Sequence, residues 1–318
     1  MMETKIQGKT KNEWKTKKRI RTAFICAMLF FPVLHFLIFN LFIPFDSFCL
    51  SFQRYDYRTA TYKWAGLYNF ERVYDELTKG IETTVLTHAI VNSLEYYVVQ
   101  LFIFLPASIF CAFFFWRKMP GHELFKIGFL IPSLLPGVVL PMLYQIMLDS
   151  TIGPVNPFLE SLGLGHLIPA NGWLGDVDTS QSMVLLYTIW SGLGGGIILF
   201  VGNLNRLPSE IFESARIDGI SLFKELTHLV IPMLWPVVSI QIITSSLIVF
   251  NVYIPPLMIT SGGPNGRTMT IAYIIINWTQ DGELTLASAA GLLFSAIGIP
   301  IIMFIKWGLN KLDPGVEF

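Results

Sequence analysis

The chain has 318 residues and no net formal charge, with 53% hydrophobic and only 14% charged residues. Soluble domains carry roughly 25% charged residues, so this chain lacks the charge to cover a compact, water-facing surface. A zero net charge leaves no global field to attract nucleic acid, and Cys26, Cys49 and Cys111 frame neither a disulfide scaffold nor a metal cluster.

The chain opens with a basic arm, residues 1–21, in which Lys15, Lys17, Lys18, Arg19 and Arg21 precede the first apolar block. That block, Thr22–Phe45, exceeds the about 7–15 residues of a signal sequence and lacks a small-residue cleavage site, so a retained helix is expected. Crossing a ~30 Å hydrocarbon core takes about 20 helical residues. Five more stretches qualify: Glu95–Trp116, Lys126–Leu148, Met183–Leu204, Leu229–Ile254 and Leu286–Leu309. Backbone groups in lipid must be satisfied within the segment, so these continuous apolar runs predict helices; a barrel would need alternating strands.

Lys/Arg bias in the loops orients the chain. The basic arm, Arg117-Lys118, the loop from Arg206 to Lys224 and the tail with Lys306 and Lys311 fall on one side. Residues 149–182 on the other side contain no Lys or Arg. The first outer loop does carry Arg54, Arg58, Lys63, Arg72 and Lys79, but long loops weigh less in this rule. The expected fold class is therefore an all-α integral membrane protein with six transmembrane helices, multi-pass in the cell membrane, with both termini cytoplasmic. Residues 22–84 read as a peripheral first helix and outer loop, and 85–318 as a five-helix core.

The cytoplasmic loop 205–232 has local chemistry of its own. Pro208 suits the first position of a helix, and Glu210 and Glu213 lie toward its positive end. Gly219 is placed to end that helix in the left-handed conformation. Ser221 can cap a second helix, and Pro232 marks the start of the fifth span. Two short helices joined at a glycine are expected.

This loop resembles the EAA loop of importer permeases, whose pattern is E-A-A, three residues, G, nine residues, I, any residue, L-P. Here Glu213-Ser214-Ala215 is followed by Gly219 and then by Leu229-Val230-Ile231-Pro232 at matching spacing. Ser214 for Ala and the Leu/Ile exchange are the departures. Gly66-Leu67-Tyr68-Asn69-Phe70, Asn92-Ser93, Gly153-Pro154-Val155-Asn156 and Trp190 also fit the carbohydrate-type permeases. The loop Thr260-Ser261-Gly262-Gly263-Pro264, with Thr268 after it, is similar to the T-x-G-G-P signature of the maltose-transporter MalF-like and glycerol-phosphate-type permeases.

The resemblance implies an ABC importer permease subunit, with loop 205–232 as the cytoplasmic coupling helix that docks on an ATPase. Glu213 and Asp218 would supply polar contacts, Ala215 and Gly219 would allow close backbone approach, and Ser214 and Pro232 complete the motif. It further implies a homologous second permease, two cytoplasmic ATPase subunits carrying ATP and Mg, and an extracytoplasmic solute-binding protein. The chain itself is expected to bind no cofactor or metal and to catalyse nothing. It has no G-x-x-x-x-G-K-[ST] phosphate loop.

Candidates for a solute path are Trp190 and Ser191 on the fourth helix, Gln241, Thr244, Ser245 and Asn251 on the fifth, and Tyr253 beyond it. Polar groups in lipid are costly and should face the interior, where they serve either solute or helix contacts. The family often shows Phe-Asp seven residues before the T-x-G-G-P threonine; here Tyr253-Ile254 stands there, followed by Pro255-Pro256. The segment Gly192–Gly196 reads as a close helix contact or a hinge. Glu95, at the expected outer end of the second helix, reads as an interfacial anchor. A self-contained secondary transporter or channel and a membrane enzyme are the competing classes. Scattered His35, His88, His122, His166 and His228 form no H-E-x-x-H motif.

Overall fold

A computed structural model describes residues 3–78, 85–313 and 315, with side chains from residue 17 onward. The expected domain boundary at 84, Lys79 and the Lys15 side chain lie outside the described residues.

Among the described residues, four helices are long and apolar enough to cross a membrane: α1 (Lys17–Ser51), α3 (Val85–Trp116), α7 (Ser180–Leu204) and α13 (Leu284–Lys311). Between α1 and α3 lies α2 (Tyr68–Thr78). Two more spans arise if each of two bent pairs counts once: α4 (His122–Leu134) with α5 (Val139–Leu148), bent by 114°, and α9 (Leu222–Met233) with α10 (Trp235–Asn251), bent by 76°. The helices α6 (Val155–Ser161) and α8 (Ser209–Ile217) lie outside these spans.

The expected unbroken helices Lys126–Leu148 and Leu229–Ile254 are therefore corrected to bent pairs, and proline is the reason. Leu135 precedes Pro136 and is extended (φ −81°, ψ 144°), because a following proline disfavours the helical region. At the second bend, Pro236 lacks the N–H that would bond the Pro232 carbonyl four residues back. The second span also begins ten residues before Glu95, which places Glu95 inside α3 rather than at its end. Gln181 of α7 donates to its carboxylate at 3.1 Å.

Three segments widen to π-helical turns: Phe36–Phe42, Gln100–Phe104 and Leu226–Val230. Each ends two residues before a proline, namely Pro44, Pro106 and Pro232. Proline removes an N–H and crowds the carbonyl of the preceding turn, and a wider turn relieves both. The helix therefore continues through Pro44, Pro106 and Pro232, although α9 breaks one residue after Met233.

The chain is not wholly helical. An antiparallel hairpin, β1 (Gln53–Asp56) and β2 (Thr61–Trp64), follows α1 and pairs Tyr55 with Tyr62. Their rings lie 5.1 Å apart, and Trp64 stacks on Phe52 at 5.5 Å. Alternation over four residues is too short a signal to separate such strands from an outer loop. Two further short helices, α11 (Ile254–Thr260) and α12 (Ile271–Gln280), complete the fold. The second packs with α3, α10 and α13 around Leu86, Ile271, Ile274 and Phe294.

Among the described residues the apolar window of α1 is not buried; its last turns, Ile43–Ser51, pack on α13. The main contact is α7 against the end of α3 and against α4, and glycine permits it. A Cβ on Gly194 would lie 2.6 Å from the Phe129 carbonyl, and one on Gly196 2.5 Å from Ser108 Oγ. The α7 helix is unbroken, so this segment makes a close helix contact in the structure rather than a hinge.

Candidate functional site

The segment linking α7 to α10 is built by local chemistry. Pro208 is the cap residue itself (φ −60°, ψ 125°), one place before the expected first turn, and α8 begins at Ser209. The helix ends in a Schellman motif: Gly219 N–H bonds the Arg216 carbonyl at 3.0 Å and Ile220 N–H the Ala215 carbonyl at 3.1 Å. That closure needs a left-handed residue, which Gly219 supplies at φ +75°. Ser221 then caps α9, accepting from Lys224 N–H at 3.5 Å. The segment is thus two helices meeting at Gly219, as its residues predict.

Its two faces differ sharply. Inward, Phe212, Leu226, Val230 and Met233 join one buried cluster with Ile109, Phe113, Phe200 and Leu204 of α3 and α7. Phe212 lies edge-on to Trp116 at 4.9 Å. Outward, Glu213, Ser214, Asp218 and Gly219 are exposed and Ala215 is half-buried. A Cβ built on Gly219 meets nothing within 4 Å in the chain, so the residue is open to something beyond it. Sequence reasoning missed the apolar part of this face: Ile217 is 87% exposed, Phe223 75% and Leu222 51%. Large apolar side chains left exposed on a segment with a buried opposite face make it a candidate interaction surface.

The second motif is a strapped loop rather than a plain turn. Thr260 and Thr268 share a hydroxyl hydrogen bond of 2.6 Å, and Thr268 donates to the Gly263 carbonyl at 3.1 Å. Gly262 is left-handed (φ +77°), and a Cβ there would sit 2.6 Å from the Tyr273 ring, so both backbone and space demand glycine. Asn92 and Ser93 of α3 hold the loop from the side, Ser93 Oγ accepting from Ile271 N–H at 3.0 Å. Gly153 is cradled equally tightly, a Cβ lying 2.6 Å from the Met147 carbonyl, and Trp173 donates to Asn156 at 2.7 Å. Beside it, Asp149 accepts from Thr151 Oγ1 and the Thr151 and Ile152 amides, which holds its carboxyl below the ordinary range.

The solute-path candidates divide. Trp190 packs with Tyr144 (6.2 Å) and Tyr187 (6.5 Å), joining α5 to α7. Ser191 bonds the Thr188 carbonyl, Thr244 the Ile240 and Gln241 carbonyls, Ser245 the Gln241 carbonyl and Asn251 the Leu247 carbonyl. These groups are spent on the backbone of their own helices, a local satisfaction common in apolar spans. Gln241 and Tyr253 are half-buried.

Comparison with known proteins decides the family. The model for "Binding-protein-dependent transport system inner membrane component" matches residues 104–317. The chain belongs to this family. The match takes in α7, the Gly219 segment and the Gly262-Gly263-Pro264 loop. The chain is 24% identical to the trehalose/maltose transport system permease protein MalF of Thermococcus litoralis, over 95% of this chain and 99% of that one. It is also 24% identical to the diacetylchitobiose uptake system permease protein NgcF of Streptomyces coelicolor, over 93% and 85%. It is 28% identical to the arabinooligosaccharides transport system permease protein AraP of Bacillus subtilis, over 68% and 65%. Two solved structures of a bacterial ABC transporter that imports the acidic polysaccharide alginate share the fold, with TM-scores of 0.76 and 0.77 at 20% and 19% identity. Each alignment covers 94% of this chain and 98% of that one. The chain is a membrane permease component.

Proposed function

We propose that this chain is one permease subunit of an ATP-driven importer for a sugar or related polar solute. It would form the path with a homologous second permease and receive solute from an extracytoplasmic binding protein. Two cytoplasmic ATPase subunits, holding ATP and Mg, would dock on the Gly219 segment. The observation that carries the reading is the two-faced segment itself: Phe212 and Leu226 are buried in the membrane domain, while Ile217, Phe223, Glu213 and Asp218 face outward. A surface of that make fits a cleft on a separate protein, and the sugar permeases among the relatives support the solute class.

In this reading each bent pair is one span, six spans cross the membrane and both termini are cytoplasmic, with residues 85–318 as the core and 22–84 as a peripheral addition. Glu213, Ser214, Ala215, Asp218, Gly219 and Pro232 belong to the coupling motif, and Thr260, Gly262, Gly263 and Pro264 shape the outer end of the path. Trp190, Gln241 and Tyr253 remain the path residues with ring or amide groups that can meet a solute. ATPase closure would move the docked segment and switch the path from inward- to outward-open. Taking such an equilibrium from 1:99 to 99:1 needs about 5.5 kcal/mol of differential binding, within reach of a few interface anchors worth ~2 kcal/mol each.

The test is uptake into vesicles containing the purified complex. ATP-dependent, vanadate-sensitive uptake is expected; transport undiminished without any ATPase subunit would favour a secondary transporter and end this reading. Thermal shift of the accompanying binding protein against a sugar panel would name the solute.

A further inference from the structure

The Gly219 segment packs into the membrane domain through its apolar cluster, and two of its contacts lie on adjacent residues of one helix end. Before Gly219, Phe212 packs on the Trp116 ring. After Gly219, Glu225 accepts from the guanidinium of Arg117. Glu225 is fully buried and the Arg117 side chain is 14% exposed, and the guanidinium also lies over the Phe113 ring at 5.9 Å. The second carboxylate oxygen of Glu225 and Nε of Arg117 have no hydrogen-bond partner among the described residues.

We propose that the Arg117–Glu225 pair is a positioning link that makes the coupling segment and the inner end of α3 move as one body. It rests on the coupling role proposed above and deepens it. Gly219 carries no side chain to brace the joint, and a Cβ built there would meet nothing within 4 Å, so the relative freedom of α8 and α9 is set by what each packs on. Fastening one helix to Trp116 and the other to Arg117 removes that freedom. Motion at the docking face then reaches α3 directly, as well as along the chain into α10. Packing alone does not call for an ion pair here: similar-sized apolar side chains in place of a buried pair are often at least as stable. What a directional pair adds is a single register, since the carboxylate accepts only where the guanidinium presents its donors. The sequence carries no local sign of the pair, whose members lie 108 residues apart.

The experiment uses the full transporter in nanodiscs with the subunits that purify with it, on a background of Cys26→Ala, Cys49→Ala and Cys111→Ala. Spin labels at Lys118→Cys and His228→Cys, both exposed positions, report the distance across the link in ATP-free and ATP-trapped states. That distance is expected to be the same in both, and to broaden in Glu225→Gln. Solute taken up per ATP hydrolysed should fall by about tenfold in Glu225→Gln and in Arg117→Gln, and recover in the Arg117→Glu/Glu225→Arg exchange, as coupled pairs do. A changed distance between the two states, or undiminished uptake per ATP in both single variants, overturns the link. If the single variants fail to assemble, the distance in the unsubstituted pair decides alone. Loss of any ATP effect on uptake in the unsubstituted transporter would instead overturn the underlying coupling reading.

Discussion

Asn92 is hydrogen-bonded to both the backbone and the guanidinium of Arg267. Its amide donates to the main-chain carbonyls of Arg267 and Met269, both at 2.7 Å, and its side-chain oxygen accepts from the Arg267 guanidinium at 3.0 Å. Asn92 is fully buried, so α3 and the Gly262-Gly263-Pro264 loop form one unit. Asn92→Ala would leave two carbonyls and a guanidinium group without these partners, at a cost of about 3 kcal/mol. A thermal unfolding midpoint in detergent equal to the parent's would refute the clamp.

Gly262 and Gly219 share a left-handed backbone but not their surroundings. Gly219→Ala should cost only about 1 kcal/mol, from the backbone. Gly262→Ala adds overpacking against Tyr273 and Met269, worth a further ~1–3 kcal/mol. Denaturation of the two variants side by side should rank them in that order. Gly219→Trp, by contrast, should leave insertion and folding intact and abolish uptake, because only a docked partner would meet the indole.

Phe212 and Phe223 separate the two faces of the Gly219 segment. Phe212→Ala empties a buried site beside Trp116 and should destabilise by about 3–5 kcal/mol. Phe223→Ala, at an exposed position, should stay within about 0.5 kcal/mol of the parent yet lower ATP-driven uptake. Equal uptake by Phe223→Ala and the parent would remove this residue from the docking surface.

Within Gly194–Gly196 the neighbours set opposite outcomes. Gly195 has open space and lies inside α7, so Gly195→Ala should stabilise by up to about 1 kcal/mol through helix propensity. Gly196→Ala meets Ser108 and Phe104 and should destabilise by about 1–3 kcal/mol. Unfolding midpoints that move the same way in both variants would show that helix propensity alone governs this stretch.

Features governed by neighbours along the chain were legible. Apolar run length marked the spans, because a bilayer core imposes one length on any helix that crosses it. Gly219 and Ser221 foretold a glycine-stopped helix and a capped one, since caps close within a few residues. The EAA-like and T-x-G-G-P spacings pointed to the family for the same reason. What the sequence could not display depends on contacts across the fold. The bends at Leu135 and Leu234, the hairpin after α1 and the short helix Ile271–Gln280 escaped, because proline can either break a helix or widen it and four-residue strands carry little pattern. The Asn92–Arg267 clamp, the exposure of Ile217 and Phe223, and the Arg117–Glu225 pair emerged only when distant segments packed together. An amphipathic stretch specifies that it has two faces, but only its neighbours decide which side chains remain for a partner.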